Sequence, residues 1–163
     1  KGAYRLKGVV FPSGLKSIGK SAFMQCYEIS ELNFPNTLAV LEEDAFCACD
    51  GLTNVVIPVS VESFDTGAFS QCDNLKNITF VSASTNFEGY SDFFMCDSNL
   101  TITGIEGSTA EAYAKREGFS FITMTSDETE SSTGDEQVCS KCGYKVDEGK
   151  QFKFCPGCGN SFK

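Results

Sequence analysis

Residues 52–74 read LTNVVIPVSVESFDTGAFSQCDN, and the spacing of apolar side chains in that stretch decides the fold. Leu52, Val55 and Ile57 follow apolar-x-x-apolar-x-apolar, ending in period-two alternation closed by Pro58, the pattern of a short strand. Val61 and Phe64 form a second apolar pair, and Gly67-Ala-Phe69 with Cys72 a third group. A shift of 23 residues reproduces each of these positions. Leu6, Ile29, Leu52 and Leu75 form one column; Val9, Leu32, Val55 and Ile78 the next; Phe11, Phe34, Ile57 and Phe80 a third. Pro12, Pro35 and Pro58 share a register that Val81 breaks, and they are three of only 4 prolines. Leu15, Leu38 and Val61, then Ile18, Leu41 and Phe64, continue the series, followed by Phe23, Phe46, Phe69, Phe93 and by Cys26, Cys49, Cys72, Cys96.

One copy cannot bury its apolar face alone, so successive copies must share a core and a hydrogen-bond ladder. The pattern predicts a repeat solenoid. Its strands stack into a parallel β ribbon, the second apolar pair returns the chain along the opposite side, and Ser-Ala-Phe, Asp-Ala-Phe or Gly-Ala-Phe makes a tight helical turn carrying a buried Phe. From Leu6 to about Met124 these residues resemble the BspA-like class of leucine-rich repeats, with its L-x-x-I-x-I-P and A-F-x-x-C pattern. Copy four departs by losing the proline and gaining residues around 86–90 and 97–99, which predicts an irregular convex side there.

Leu100-Thr-Ile-Thr-Gly104 reads as a shortened fifth strand. Ser108-Thr-Ala-Glu111 is a capping box that opens a helix, Glu111 and Lys115 are a favourable i,i+4 pair, and Gly118 is the expected stop. This helix caps the solenoid, so the first domain is assigned to 1–124 with its cap at 100–124. At the front, Lys1 to Arg5 fall in register with Met24 to Glu28, placing Tyr4 on the Tyr27 position, as if the chain began inside an earlier repeat. The expectation is that further repeats precede it.

Stacked equivalents in a solenoid point the same way, so the column Cys26, Cys49, Cys72, Cys96 is expected to be a buried ladder of small hydrophobes rather than disulfides or a metal site. Cys47 lies off that column and is expected to be exposed.

Residues 125–137 hold five acids among Ser and Thr and read as a solvated linker. Residues 138–163 contain Cys139-Ser-Lys-Cys142-Gly143 and Cys155-Pro-Gly-Cys158-Gly159. Two C-x-x-C pairs, each followed by Gly, can aim four thiolates at one tetrahedral zinc. Tyr144-Lys-Val146 and Gln151-Phe-Lys-Phe154 alternate as two strands about a turn, which would bring the second pair back to the first. The segment 138–162 looks like a zinc ribbon, with Cys139, Cys142, Cys155 and Cys158 holding one structural zinc. A redox dithiol would need a βαβ surround that 26 residues do not provide. Two disulfides remain the alternative in a secreted chain.

Charge divides the chain at the same place. Residues 1–137 carry 8 basic and 20 acidic residues, a net of −12, and residues 138–163 carry 5 basic and 2 acidic, a net of +3. The acidic part would repel nucleic acid, which is therefore not the expected partner. The chain has no His, so imidazole-based triads and histidine metal sites are excluded. No phosphate loop, paired-carboxylate cleft or activated nucleophile can be assembled, and the reading is non-enzymatic. No apolar run is long enough to span a membrane.

Outward-facing strand positions are expected to form a concave strip, with Glu31, Asn33, Asn54, Val56, Asn77 and Thr79 as partner-binding residues and Gly8, Val10, Thr101 and Thr103 extending it. Such a strip can hydrogen-bond an extended peptide or a glycan. Resemblance to BspA-like proteins implies an adhesion or protein-interaction module at a cell surface. Four thiolates instead favour a reducing cytoplasm, where the ribbon of a scaffold would dock a protein complex or nucleic acid.

Overall fold

A computed structural model describes residues 4–89 and 99–124. Phe93, Cys96 and the whole of 125–163, with the linker and the four ribbon cysteines, lie outside those residues. Within them the chain winds as a parallel β-solenoid with two ladders. Strands β1 (Ser17–Ile18), β2 (Val40–Leu41), β4 (Ser63–Asp65) and β6 (Asn86–Glu88) pair in that order. Strands β3 (Asn54–Ile57), β5 (Asn77–Phe80), β7 (Thr101–Gly104) and β8 (Ser120–Thr123) form the other sheet, and α1 (Thr109–Glu117) connects β7 to β8.

The register carries the repeat into space. Val40 pairs with Ser63 and Ser63 with Asn86, Val55 with Ile78 and Ile78 with Ile102. Alternation then sends Val55, Ile57, Ile78, Phe80 and Ile102 into the core, where all five are buried. Phe46 and Phe69 are fully buried in a column that starts at half-buried Phe23. Their rings lie nearly parallel, with centroids 5.1 Å apart for Phe23–Phe46 at 6° and 5.2 Å for Phe46–Phe69 at 8°.

The expected helical turns around these phenylalanines are not helical. Ala22, Met24 and Cys26 donate their N–H within the coil, to Gly19, Ser21 and Phe23. Ser21, Phe23 and Gln25 donate instead to Glu43, Ala45 and Cys47 of the next coil. A helix would consume every N–H internally and leave adjacent coils untied. The alternation uses left-handed residues at repeat positions: Ser21 and Asp44 at φ 56° and 57°, and Gln25, Ala48 and Gln71 at φ 61°, 55° and 58°. Each costs about 1–2 kcal/mol for a residue with a Cβ, offset by the inter-coil bonds it permits.

A second set of ties was not read from the sequence. Thr37, Ser60 and Thr85 hydroxyls donate to the carbonyls of Leu15, Leu38 and Val61 in the preceding coil, at 2.8, 2.7 and 3.0 Å. They satisfy backbone acceptors at the sharp corner after the proline column.

Three expectations are corrected. The segments Leu6–Phe11 and Ile29–Phe34 do not form strands. The gain in copy four is one residue. Asp65 still pairs with Glu88 at the 23-residue spacing and Asn77 with Thr101 at 24, so β6 is regular and the extra residue falls after it, while the rest of the expected irregular side, 90–98, lies outside the described residues. Finally, Cys47 is buried at 3% exposure, because coils hydrogen-bonded on both sides cover a side chain this short.

The cap forms as read. Ser108 Oγ accepts from Glu111 N–H at 3.2 Å, Glu111 pairs with Lys115 at 2.6 Å, and Gly118 ends α1 at φ 80°. The Glu111 carboxylate takes the Gly107 N–H rather than that of Ser108, which closes a local turn on Ile105. Ala110, Tyr113 and Ala114 face the core. Tyr113 extends the aromatic stack, 4.7 Å from Phe87.

Replacing Phe46 with Ala removes a ring stacked on both sides and should destabilise the solenoid by roughly 3–5 kcal/mol in urea denaturation. The same change at half-buried Phe23 is expected to cost less.

Candidate ligand-binding strip

Because strand residues alternate, the positions between the buried columns line one outward face. Register places Asn54, Asn77, Thr101 and Ser120 in one row and Val56, Thr79, Thr103 and Ile122 in the next. Asn54 and Ser120 are exposed; Val56, Asn77, Thr79, Thr101 and Thr103 are half-buried, and Ile122 is 57% exposed. None of the eight side chains is charged.

The centre of the strip is internally ordered. Thr103 Oγ1 donates to Asn77 Oδ1 at 2.9 Å, and Asn77 Nδ2 donates to Thr79 Oγ1 at 3.2 Å. That chain fixes the amide and leaves the second N–H of Asn77 and the hydroxyl hydrogen of Thr79 to address a ligand. At the edge, Asn54 Nδ2 donates to Thr53 Oγ1 at 3.1 Å.

The expected site residues therefore divide. Asn54, Val56, Asn77 and Thr79 come together on β3 and β5, with Thr101 and Thr103 continuing the rows on β7. Glu31 and Asn33 are exposed but lie outside any strand, so the ladder does not hold them in the rows. Val10 is 96% exposed on an equally unpaired segment. Ser120 and Ile122 were missed. The signal for them was the alternation in Phe119-Ser-Phe121-Ile-Thr123, obscured because it follows a helix rather than a repeat spacer.

The other ladder presents a different surface. Asp65 and Glu88 pair in register, and Glu42, Glu43 and Asp44 follow directly on the end of β2. Lys20 bridges to Glu43 through its ammonium group and donates its backbone N–H to the Glu42 carboxylate at 2.9 Å. Burial pushes the Asp65 carboxyl up, aided by the charges of Glu43, Asp44 and Glu88 and opposed by the Gly67 N–H. No group of three or more Cys, Asp or Glu is placed to hold a metal among the described residues. No described helix is long and apolar enough to cross a membrane.

Cys26, Cys49 and Cys72 form the expected buried column, with Cys49 Sγ 3.3 Å from Phe23 O and Cys72 Sγ 3.2 Å from Phe46 O. Burial pushes the Cys49 thiol up to about 12, so it stays protonated at neutral pH. Cys139, Cys142, Cys155 and Cys158 lie outside the described residues.

The sequence model of the family described as BspA type leucine rich repeat region matches residues 1–115, in 6 copies. No curated protein and no solved structure matches the chain.

A thiol reagent at pH 8 should leave Cys26, Cys49 and Cys72 unmodified in the folded protein and label them on unfolding, as read by peptide mass spectrometry. Since the folded thiol pKa at Cys49 lies above its unfolded value, its contribution to stability is complete below about pH 9 and declines as pH rises toward 12. Equal labelling rates at pH 8 with and without urea would contradict the burial.

Proposed function

Because the chain belongs to the BspA-type leucine-rich repeat family, we propose that it is a non-enzymatic interaction or adhesion module that holds a protein or glycan ligand on the outward strip of β3, β5, β7 and β8. The observation that carries this reading is the ordered, uncharged double row centred on Asn77, Thr79 and Thr103. An acidic chain of net charge −9 presents a neutral, hydrogen-bonding window there. A rigid row of amides and hydroxyls suits the backbone of an extended peptide or the hydroxyls of a glycan, because the protein's groups are already oriented before binding.

The second module is proposed on its donor set alone. Four thiolates from Cys139, Cys142, Cys155 and Cys158 match the ligand number and softness that zinc takes in structural sites. Zinc bound there would supply folding energy to a segment too small to hold itself together. With every position filled by sulfur, it leaves no place for an activated water.

A scaffold reading, in which the ribbon docks a protein complex or nucleic acid inside a reducing compartment, draws support from the net +3 of residues 138–163. Zinc thiolates reduce that to about +1, against −12 on the rest of the chain, so the strip reading is preferred.

Two measurements test the proposal. Binding to a panel of extracellular-matrix proteins and a glycan array should weaken about tenfold or more with Thr79→Arg, whereas Val59→Arg on an exposed corner should leave it unchanged; loss from both alike would sink the strip. Chain purified under reducing, chelator-free conditions should carry one zinc, and less than half an equivalent would overturn the metal assignment.

A further inference from the structure

The inner and outer rungs of the strip's second row differ in chemistry. Register sets Val56, Thr79, Thr103 and Ile122 side by side across β3, β5, β7 and β8, so hydroxyls hold the two inner rungs and branched aliphatic side chains the two outer ones. Val56 is half-buried and Ile122 is 57% exposed, which leaves methyl groups facing outward at both ends. The first row, Asn54, Asn77, Thr101 and Ser120, is polar throughout. Neighbouring strands lie about 4.8 Å apart, so three ladder steps put Val56 and Ile122 about 14 Å from each other.

Resting on the assignment of the strip as the ligand site, we propose that its ligand is an extended peptide laid across the strands, with two apolar side chains four residues apart and polar or small residues between them. An extended chain advances about 3.4 Å per residue and returns its side chains to one side every second residue, so residues i and i+4 stand about 14 Å apart on the same side. They meet Val56 and Ile122. Residue i+2 falls between Thr79 and Thr103, where a small or hydroxylated side chain fits, and i+1 and i+3 turn toward the polar first row. A spacing of two covers only about 7 Å, and a spacing of three puts the side chains on opposite sides. Between the rows, the second N–H of Asn77 and the hydroxyl of Thr79 stand on one rung in the chain fixed by Thr103, and they supply donors for a peptide carbonyl.

The side chains favour a peptide over a glycan. None of the eight positions in the two rows is aromatic, so no ring is offered to the C–H face of a sugar. Val56 and Ile122 instead offer aliphatic surface, which another aliphatic side chain covers and so removes from water. Charge narrows the peptide further. The rows are neutral and the chain carries a net −9, so carboxylates in the ligand are repelled and a neutral or basic peptide is favoured.

Three acetylated, amidated heptapeptides of one composition test this: Gly-Leu-Asn-Ser-Asn-Leu-Gly with leucines four apart, Gly-Leu-Asn-Asn-Leu-Ser-Gly with three, and Gly-Leu-Asn-Leu-Ser-Asn-Gly with two. Each is titrated to about 1 mM against the full chain under reducing conditions, with binding read from amide chemical shifts, and the first should bind at least about fivefold more tightly than the other two. Ile122→Ser, at an exposed position, and Val56→Ser should each erase that preference, and Thr79→Arg should abolish binding of all three. Equal affinities for the three peptides, no binding of any, or a preference that survives Ile122→Ser overturns the proposal. A glycan that binds and is lost with Thr79→Arg, beside peptides that do not discriminate, overturns the peptide ligand and leaves the strip as the site. Ligand binding that Thr79→Arg does not touch removes the strip itself, and the peptide with it.

Discussion

The separation between successive coils governs this structure. Parallel backbone pairing holds neighbouring coils about 4.8 Å apart, and every side chain in a repeat column must find its equivalent at that distance. Phe23, Phe46 and Phe69 meet the condition by stacking nearly flat at 5.1 and 5.2 Å, whereas Phe64 and Phe87 meet it edge-on at 5.8 Å. Small thiols meet it at Cys26, Cys49 and Cys72, and the hydroxyls of Thr37, Ser60 and Thr85 convert it into hydrogen bonds. A residue is acceptable at a given position only if it also packs against a copy of that position, which explains why the columns are so uniform.

That constraint also explains which parts were legible in the sequence. Columns of identical character at a fixed period are its direct imprint, so the solenoid, its inward residues, the inward cysteines and the cap helix could be read from residue spacing. The left-handed turns could not. They occupy positions held by Ser21, Asp44, Gln25, Ala48 and Gln71, where no glycine marks the conformation, because the requirement arises from the next coil's carbonyls rather than from local preference. Cys47 was misread for a related reason. An off-column position looks solvent-facing along one coil, but burial depends on the coils above and below. Of the candidate strip, Asn54, Val56, Asn77 and Thr79 were legible through strand alternation, while Glu31 and Asn33 failed because alternation has meaning only where a ladder forms. Ser120 and Ile122 lay beyond the last repeat, where periodicity no longer points.

The two ladders use the shared spacing to opposite ends. On one side acids come close: Asp65 pairs with Glu88 in register and feels the charges of Glu43 and Asp44, and Lys20 bridges to Glu43. On the other side the corresponding columns hold only neutral groups, and the same closeness becomes an asset. Thr103, Asn77 and Thr79 satisfy one another, so the face is rigid without being charged. A ligand drawn there would be selected by hydrogen-bond geometry rather than by long-range attraction, since the molecule's net field is acidic.

Ends are where a repeating structure must break its own rule, and here the break is unequal across the two ladders. Among the described residues no strand follows β6 on that side; α1 takes the place, and Tyr113 lays its ring 4.7 Å from Phe87, where the next coil's aromatic would have been. The core is thus closed by a residue that imitates a repeat position from a helix. On the other side β8 follows the ladder rule faithfully, pairing Thr101 with Ser120 through Gly104 with Thr123, and so repeats the strand edge of β7 one step further out instead of ending it. Closing the core and ending the sheet are separate physical problems. The cap solves the first with buried apolar surface from Ala110, Tyr113 and Ala114, while the second is a matter of backbone hydrogen bonds, which along a sheet edge are completed by another strand rather than by apolar burial.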